Sequence, residues 1–283
     1  MRLASVDGRL HLQEGDELVD VADASGGRFD PDPQAAFPRW AQLREWAATR
    51  HPADTALPAV PPGVGAPVPH PLQCIGIGLN YGDHVGESGM DLPTAPVVFP
   101  KFASCLAGPD DPLLLPSTTV DWEVELVVVI GETVRDVAED DAWAHVAGLT
   151  IGQDVSDRAL QFSGPAPQQF GLGKSLRGFG PIGPWLVTPD ELTDPDDLGI
   201  DCLLNGEVVQ QSRTGHLIFD VRHLVSYLSR TLTLRPGDLI FTGTPSGVGF
   251  GRDPQVYLRP GDELVSRVEG LGELVTRVAG ASS

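Results

Sequence analysis

From residue 126 to residue 130 the chain reads Leu-Val-Val-Val-Ile, an unbroken apolar run of strand length. With no polar alternation, it predicts a strand buried on both faces. Acidic residues crowd its entrance, in Asp121-Trp122-Glu123-Val124-Glu125. Strand side chains alternate between faces, so Glu123 and Glu125 point the same way. A second strand-like stretch, Leu149-Thr150-Ile151, leads to another acid, Asp154. Helical spacing is clearest in residues 221 to 232, where Val221, Leu224, Val225, Leu228 and Leu232 share a face behind Asp220 as the capping residue. Trp40 to Trp46 has the same spacing on a smaller scale, and residues 3 to 19 alternate as a short hairpin.

Glycine and proline punctuate the remainder. Residues 57 to 71 are rich in both, a composition that cannot continue a helix and predicts a linker. The expected architecture is therefore α+β and β-rich, with a small N-terminal α/β unit and linker over residues 1–70 and the main domain over 71–283. Leu-Arg-Pro-Gly-Asp occurs at 234–238 and again at 258–262, each time entering a strand-like run. Recurrent turn chemistry explains the echo better than duplication does. Gly76-Ile77-Gly78 lacks the third glycine at dinucleotide-loop spacing, and the 243–249 segment lacks the Lys-Ser/Thr of a phosphate loop. The glycines of 243–249 are expected to let backbone and the Thr244 hydroxyl approach a ligand closely.

Charge narrows the partners. With 39 acidic against 19 basic residues the net charge is -20, which argues against nucleic acid and anionic membrane. No signal-like apolar segment or membrane-length run is read at the N-terminus or elsewhere. Cys74, Cys105 and Cys202 are three in number and far apart, as expected of core thiols in a reducing cytoplasm rather than a disulfide framework.

Two carboxylates side by side near an apolar interior need a shared proton, a cation or a hard metal ion, unless the strand lies at an edge with its acids solvated. Glu123, Glu125 and Asp154 without His or Cys suit Mg²⁺ or Mn²⁺, with Ca²⁺ a further candidate, and not zinc. His84 and Glu87 are three apart; on a helix they would share a face, and a carboxylate-held imidazole can take a proton from water. Lys101 and Lys174 are the only lysines among the 19 basic residues. An ammonium is a compact point charge that arginine does not replace beside a metal. Arg158 suits a bidentate pair with a substrate carboxylate, or alternatively a salt bridge to Asp121 or Asp157.

The sequence resembles the fumarylacetoacetate hydrolase family. The likeness is carried by Asn80-Tyr81-Gly82-Asp83-His84-Val85-Gly86-Glu87, by the Glu123/Glu125 strand, by Asp154 to Arg158 and by Gly173-Lys174-Ser175 with residues 179–184. It continues through Asn205-Gly206-Glu207 with Gln210, Pro236 to Ile240, and Thr242 to Gly249. The resemblance implies the family's mixed β-sandwich roll, a single divalent ion on Glu123, Glu125 and Asp154, and a small 2-oxo or 1,3-dicarbonyl acid as substrate. It implies His84 and Glu87 on a mobile lid as activators of water, and Lys174 as a catalytic lysine on the substrate side. Tyr81, Arg158, Gln210 and Thr244 are the expected substrate-binding residues. It favours a homodimer. Hydrolytic C–C cleavage of an acylpyruvate, tautomerisation or decarboxylation of oxaloacetate or hydroxymuconate-like diacids, and a non-catalytic binding module remain open; loss of the His and Glu would mark the last, and both are present.

Overall fold

The computed structural model describes residues 1–50, 57, 61–88, 91–164 and 169–280, with the side chains of residues 87 and 88 outside that set. In chain order the strands are β1 (Arg2–Val6), β2 (Arg9–Glu14), β3 (Glu17–Asp20), β4 (Val64–Gly65), β5 (Cys74–Gly78) and β6 (Val97–Pro100). They continue as β7 (Leu106–Ala107), β8 (Leu113–Leu114), β9 (Val120–Asp121), β10 (Val124–Ile130), β11 (Val146–Gln153) and β12 (Ser156–Asp157). The last are β13 (Gly180–Val187), β14 (Gly199–Leu204), β15 (Glu207–Arg213), β16 (Leu239–Phe241), β17 (Glu263–Val268) and β18 (Gly272–Ala279). The α-helices are α1 (Val21–Ala24), α2 (Trp40–Ala47), α3 (Gly82–Ser88), α4 (Arg158–Gln161), α5 (Phe170–Gly173) and α6 (Val221–Ser229).

Among the described residues the large sheet runs β3-β2-β1-β13-β11-β10-β16-β5-β6, with β4 on β1 and β7 on β13. A second sheet runs β15-β14-β17-β18-β8, and β9 pairs with β12. The expected β-rich α+β architecture is found. Residues 3 to 19 span three strands rather than one hairpin, and β1 pairs with β13, placing them at one end of the main sheet. The proline-rich segment contains β4, whose Val64 pairs with Val6.

β10 is buried along its whole length and lies between β11 and β16. Its two faces feed two cores. Val124, Leu126, Val128 and Ile130 pack with Leu224, Val225 and Leu228 of α6 and with inner residues of the second sheet. Val127 and Val129 face Phe37, Trp40 and Leu12 of the N-terminal segment. Each such aliphatic side chain, fully buried, contributes about 1.5–3 kcal/mol of transfer free energy.

Asp220 caps α6 by accepting from the His223 amide at 2.8 Å, as its position before the apolar face requires. The helix ends at Ser229, short of Leu232, which packs on the same core from the following turn. The two Leu-Arg-Pro-Gly-Asp segments close identical turns: the Arg235 amide donates to Asp238 at 2.8 Å, and the Arg259 amide to Asp262 at 2.7 Å.

Candidate functional site: an acidic triad at the end of the central strand

Glu125 is the second residue of β10 and Glu123 precedes the strand, so both sit on the face continued by Val127 and Val129. Antiparallel pairing sets Val124 opposite Gln153, the last residue of β11. Asp154 follows at once, and its amide donates to the Glu123 carbonyl at 2.9 Å. The Gln153 side chain locks this corner, accepting from the Glu123 amide at 2.8 Å and donating to Ser266 at 2.8 Å. Glu123, Glu125 and Asp154 are all buried, and one oxygen from each lies within 4.8 Å of the others. The solvated-edge alternative does not describe these acids.

Three cations surround them. Lys174 Nζ lies 2.6 Å from Glu123 Oε2 and 2.8 Å from Asp154 Oδ2, and donates to Ser156 Oγ at 2.8 Å. Lys101 Nζ donates to Asp154 Oδ1 at 2.6 Å and to the Phe179 carbonyl at 3.3 Å, with a third bond to the Lys174 carbonyl. Arg158 Nε bonds Asp121 Oδ2 at 2.8 Å, while Nη1 reaches Glu123 Oε1 and Gln161 Oε1, each at 2.8 Å. Of the two salt bridges weighed for Arg158, the one to Asp121 forms. Asp157 instead caps α4, accepting from Ala159 and Leu160.

The environments push the two glutamates apart. Burial would raise the Glu123 pKa, but Lys174 and Arg158 outweigh it and hold the carboxyl down at about 2. At Glu125 burial and the neighbouring Asp154 and Glu123 charges act together and hold the pKa well above the usual carboxylate range. A divalent ion is the other means of relieving that repulsion. The donor set fits one: three hard oxygen ligands, with Asp154 Oδ2 buried and lacking any partner in hydrogen-bond geometry among the described residues. Glu125 Oε2 is oriented by the Gly243 amide at 2.9 Å.

A pocket opens onto the triad. Its wall includes His84, Arg158, Gln161, Lys174, Thr244 and the aromatic rings of Phe99, Phe162, Phe170 and Phe250. His84 and Glu87 are both on α3, so the helical spacing expected of them is present, while the Glu87 side chain lies outside the described residues. Thr244 Oγ donates to the Val124 carbonyl at 2.8 Å and accepts from Gln210 Nε2 at 2.8 Å. Gln210 also donates to the Pro245 carbonyl and accepts from the Val124 amide. These two side chains therefore brace the start of β10, and Gln210 and Tyr81 are not on the wall. Tyr81 is wholly buried, and burial followed by the Glu125 charge raises its pKa.

The glycines of 243–249 answer to protein neighbours. A Cβ at Gly247, where φ is +105°, would lie 2.0 Å from the Val209 carbonyl oxygen, and one at Gly249 would lie 1.9 Å from that of Val256. The near neighbours at 243, 247 and 249 are protein atoms, side-chain atoms of Asn80 and Asp121 among them.

Residues 73–279 match the family model described as fumarylacetoacetate (FAA) hydrolase C-terminal. The chain belongs to the fumarylacetoacetate hydrolase family. It is 46% identical over 215 residues to a mitochondrial oxaloacetate tautomerase of Bos taurus, covering 75% of this chain and 68% of the relative. It is 44% identical over 265 residues to 2,4-didehydro-3-deoxy-L-rhamnonate hydrolase of a Sphingomonas strain, covering 92% and 91%. A solved HpcE-type structure from Mycobacterium smegmatis is 53% identical over the whole of both chains with a TM-score of 0.93. Maleylpyruvate hydrolase of Sphingobium, solved with manganese(II) and pyruvate, is 30% identical over the whole of both chains with a TM-score of 0.78.

Within this family frame two site residues carry more than their sequence context foretold. Asp121 gathers Arg158 and the Gly249 and Phe250 amides at 2.7–2.9 Å, joining three segments at one carboxylate. Lys101 spans β6 and Asp154. Its survival as one of only two lysines was the available signal, and which group it served was not readable before the fold.

Proposed function

We propose that this protein is a divalent-metal-dependent hydrolase that cleaves a C–C bond in a small acylpyruvate or related diketo acid. The carrying observation is the buried convergence of Glu123, Glu125 and Asp154 at the end of a pocket whose wall also bears His84. Glu123, Glu125 and Asp154 would hold Mg²⁺ or Mn²⁺, a reading supported by the manganese in the maleylpyruvate hydrolase relative. When bound, such an ion polarises the 2-oxo group as a Lewis acid and offsets enolate charge.

The chain's own residues divide the remaining work. Arg158, fixed on the pocket wall by its ion pairs with Asp121 and Glu123, is the arginine that would meet the substrate carboxylate. Lys174 adds an ammonium beside the carboxylates, where negative charge develops. An imidazole nitrogen of His84, backed by Glu87 on the same helix, takes the proton from the attacking water. Thr244 and Gln210 act by holding Val124, and with it the position of Glu125. Closure of α3 over the ligand excludes bulk water. The three buried, unpaired thiols fit a reducing compartment, here the cytoplasm. No helix among the described residues is long and apolar enough to cross a membrane. We assign the working unit as a homodimer on the strength of the family alone.

A second reading is favoured by the 46% identity to an oxaloacetate tautomerase: the same site moves a proton between the carbon next to the 2-oxo group and the enolate oxygen, with no water attack. Proton NMR of acylpyruvates, oxaloacetate and hydroxymuconate-type diacids with enzyme and Mg²⁺ separates the two. Two acid fragments from an acylpyruvate are expected, and His84→Ala is expected to lose that rate by about 10²–10⁴ while still binding metal. Enol exchange or CO₂ release with every acylpyruvate left whole replaces the first reading by the second.

A further inference from the structure

Arg158 is held from both ends by the segment that carries Asp121. Pairing of β9 with β12 sets Ser156 opposite Asp121, and the Arg158 amide donates to the Thr119 carbonyl at 3.0 Å, which fixes its backbone. At the head, the guanidinium turns two nitrogens to one oxygen: Nε lies 2.8 Å and Nη2 2.7 Å from Asp121 Oδ2. The same oxygen accepts from the Phe250 amide at 2.9 Å, while Asp121 Oδ1 accepts from the Trp122 amide at 2.8 Å and the Gly249 amide at 2.7 Å. Asp121 is fully buried, and each of these neighbours is a donor. A Cβ at Gly249 would lie 2.7 Å from Asp121 Oδ1, so glycine is what lets that amide come so close. Arg158, Phe250 and Gly251 stand on the pocket wall, and Asp121 does not. One carboxylate behind the wall therefore sets both the guanidinium and a stretch of the wall itself.

We propose that Asp121 is a positioning residue for carboxylate recognition, which orients Arg158 toward the substrate carboxylate and holds the 249–251 segment beside it. The proposal rests on the 2-oxo acid reading above and says what sets the arginine on which that reading calls. Glu123, the other anion paired with Arg158, is one of the three acids that would take up an ion. An ion there draws on the same carboxylate charge, so the Arg158–Glu123 pair competes with metal binding. Asp121 lies outside the triad, and its pair with Arg158 does not compete. In the loaded enzyme Asp121 is then the anion that keeps the guanidinium in place. Asparagine cannot stand in for it. Whichever way its amide is turned, one acceptor oxygen is lost and an NH₂ group meets donors, either the guanidinium with the Phe250 amide or the Trp122 and Gly249 amides.

The test is a double-mutant cycle on the full chain, with Asp121→Asn, Arg158→Met and both together, read by isothermal titration of Mn²⁺ and then of pyruvate at saturating Mn²⁺. Asp121→Asn is expected to keep Mn²⁺ binding, which reports an intact triad, and to lose pyruvate affinity by at least about tenfold, the scale of one charge-assisted hydrogen bond. On the Arg158→Met background the same change should cost almost nothing, because the group it positions is gone. Additive losses, or wild-type pyruvate affinity in Asp121→Asn, overturn the inference. If Asp121→Asn gives no folded protein, Arg158→Lys decides: lysine keeps the charge but cannot meet Asp121 Oδ2 through two nitrogens, so pyruvate affinity should fall by the same factor, and wild-type affinity overturns the inference. The outcomes stay separate from those of the functional reading. Wild-type protein that binds no pyruvate with Mn²⁺ rejects the 2-oxo acid reading and this inference with it, whereas the expected cycle without C–C cleavage by the wild-type rejects hydrolysis alone.

Discussion

Replacing Lys101 by Met deletes a charge while keeping most of the stem's packing. The Lys101 side chain is 0% exposed, and its three hydrogens meet Asp154 Oδ1, the Lys174 carbonyl and the Phe179 carbonyl. Removing one partner of a buried ion pair costs about 3–5 kcal/mol. Asp154 keeps Lys174 Nζ at 2.8 Å on its other oxygen, so the lower end, about 3 kcal/mol, is expected. In a chain of this size that lowers the melting temperature by roughly 6 °C. Burial disfavours the Lys101 ammonium, but Asp154 outweighs it and holds the pKa above the ordinary lysine value. A raised folded pKa gives stabilisation that is complete below the unfolded value of about 10.4 and lost only as pH rises through the folded one. The mutant's deficit should therefore be flat from about pH 6 to pH 9. Mn²⁺ should recover part of it, by RT ln(1 + [L]/Kd), because an ion on Asp154 replaces the missing cation. Calorimetric melts in EDTA and in Mn²⁺ across that pH range read all three quantities. A Lys101→Met protein melting with wild-type in EDTA would mean that the buried pair contributes nothing and that this reasoning is wrong.

Glu125→Gln removes a carboxyl held above its usual range by burial and by Asp154 and Glu123. The resulting penalty is absent below the unfolded value of about 4.3 and grows as pH rises towards the folded one. In EDTA at neutral pH the variant should melt at or above wild-type, yet lose tight Mn²⁺ binding in calorimetric titration; wild-type affinity would remove Glu125 from the metal site. Lys174→Arg places a longer planar fork where Nζ fits within 2.8 Å of Glu123, Asp154 and Ser156. Its kcat/KM should drop at least about tenfold, ~1.4 kcal/mol of transition-state stabilisation, and unchanged kinetics would refute the fit. Burial raises the thiol pKa of Cys74, Cys105 and Cys202, the last to about 12. Iodoacetamide at pH 8 should leave all three unlabelled in the native protein and label them in denaturant; mass spectrometry reporting native labelling would show that thiol to be accessible.

The legible parts of the molecule were those set by local pattern. The apolar run at 126–130, the parity of Glu123 and Glu125, the Asp220 cap and the twin Pro-Gly-Asp turns all depend on neighbours within a few residues. Asp154 was legible as an acid after a strand, and Lys174 as a rare lysine in a recognisable block. What escaped depends on register between distant strands. Asp121 was readable as one of two salt-bridge partners for Arg158, but not as the carboxylate over which the 249–250 amides close once β9 and β12 pair. Thr244 and Gln210 read as ligand donors, yet most of their hydrogen-bonding capacity goes to the start of β10 and to each other. The helix after Asp220 was expected to include Leu232. Tertiary packing lets that leucine reach the same core from a turn.

Glu125 meets the Gly243 amide only because β10 lies beside β16, more than a hundred residues further along the chain. At a translation rate of about 5–20 residues per second, that separation is on the order of ten seconds of synthesis. Through that interval a nascent chain carries β10, an aliphatic strand meant for complete enclosure, with one of its two neighbours still unmade. The parallel partner of β16, β5, waits longer still, since Cys74 pairs with Leu239. The site is thus assembled late, by closure of its longest loops, and a ribosome-bound intermediate exposes an adhesive edge in the place where the finished enzyme holds its acids.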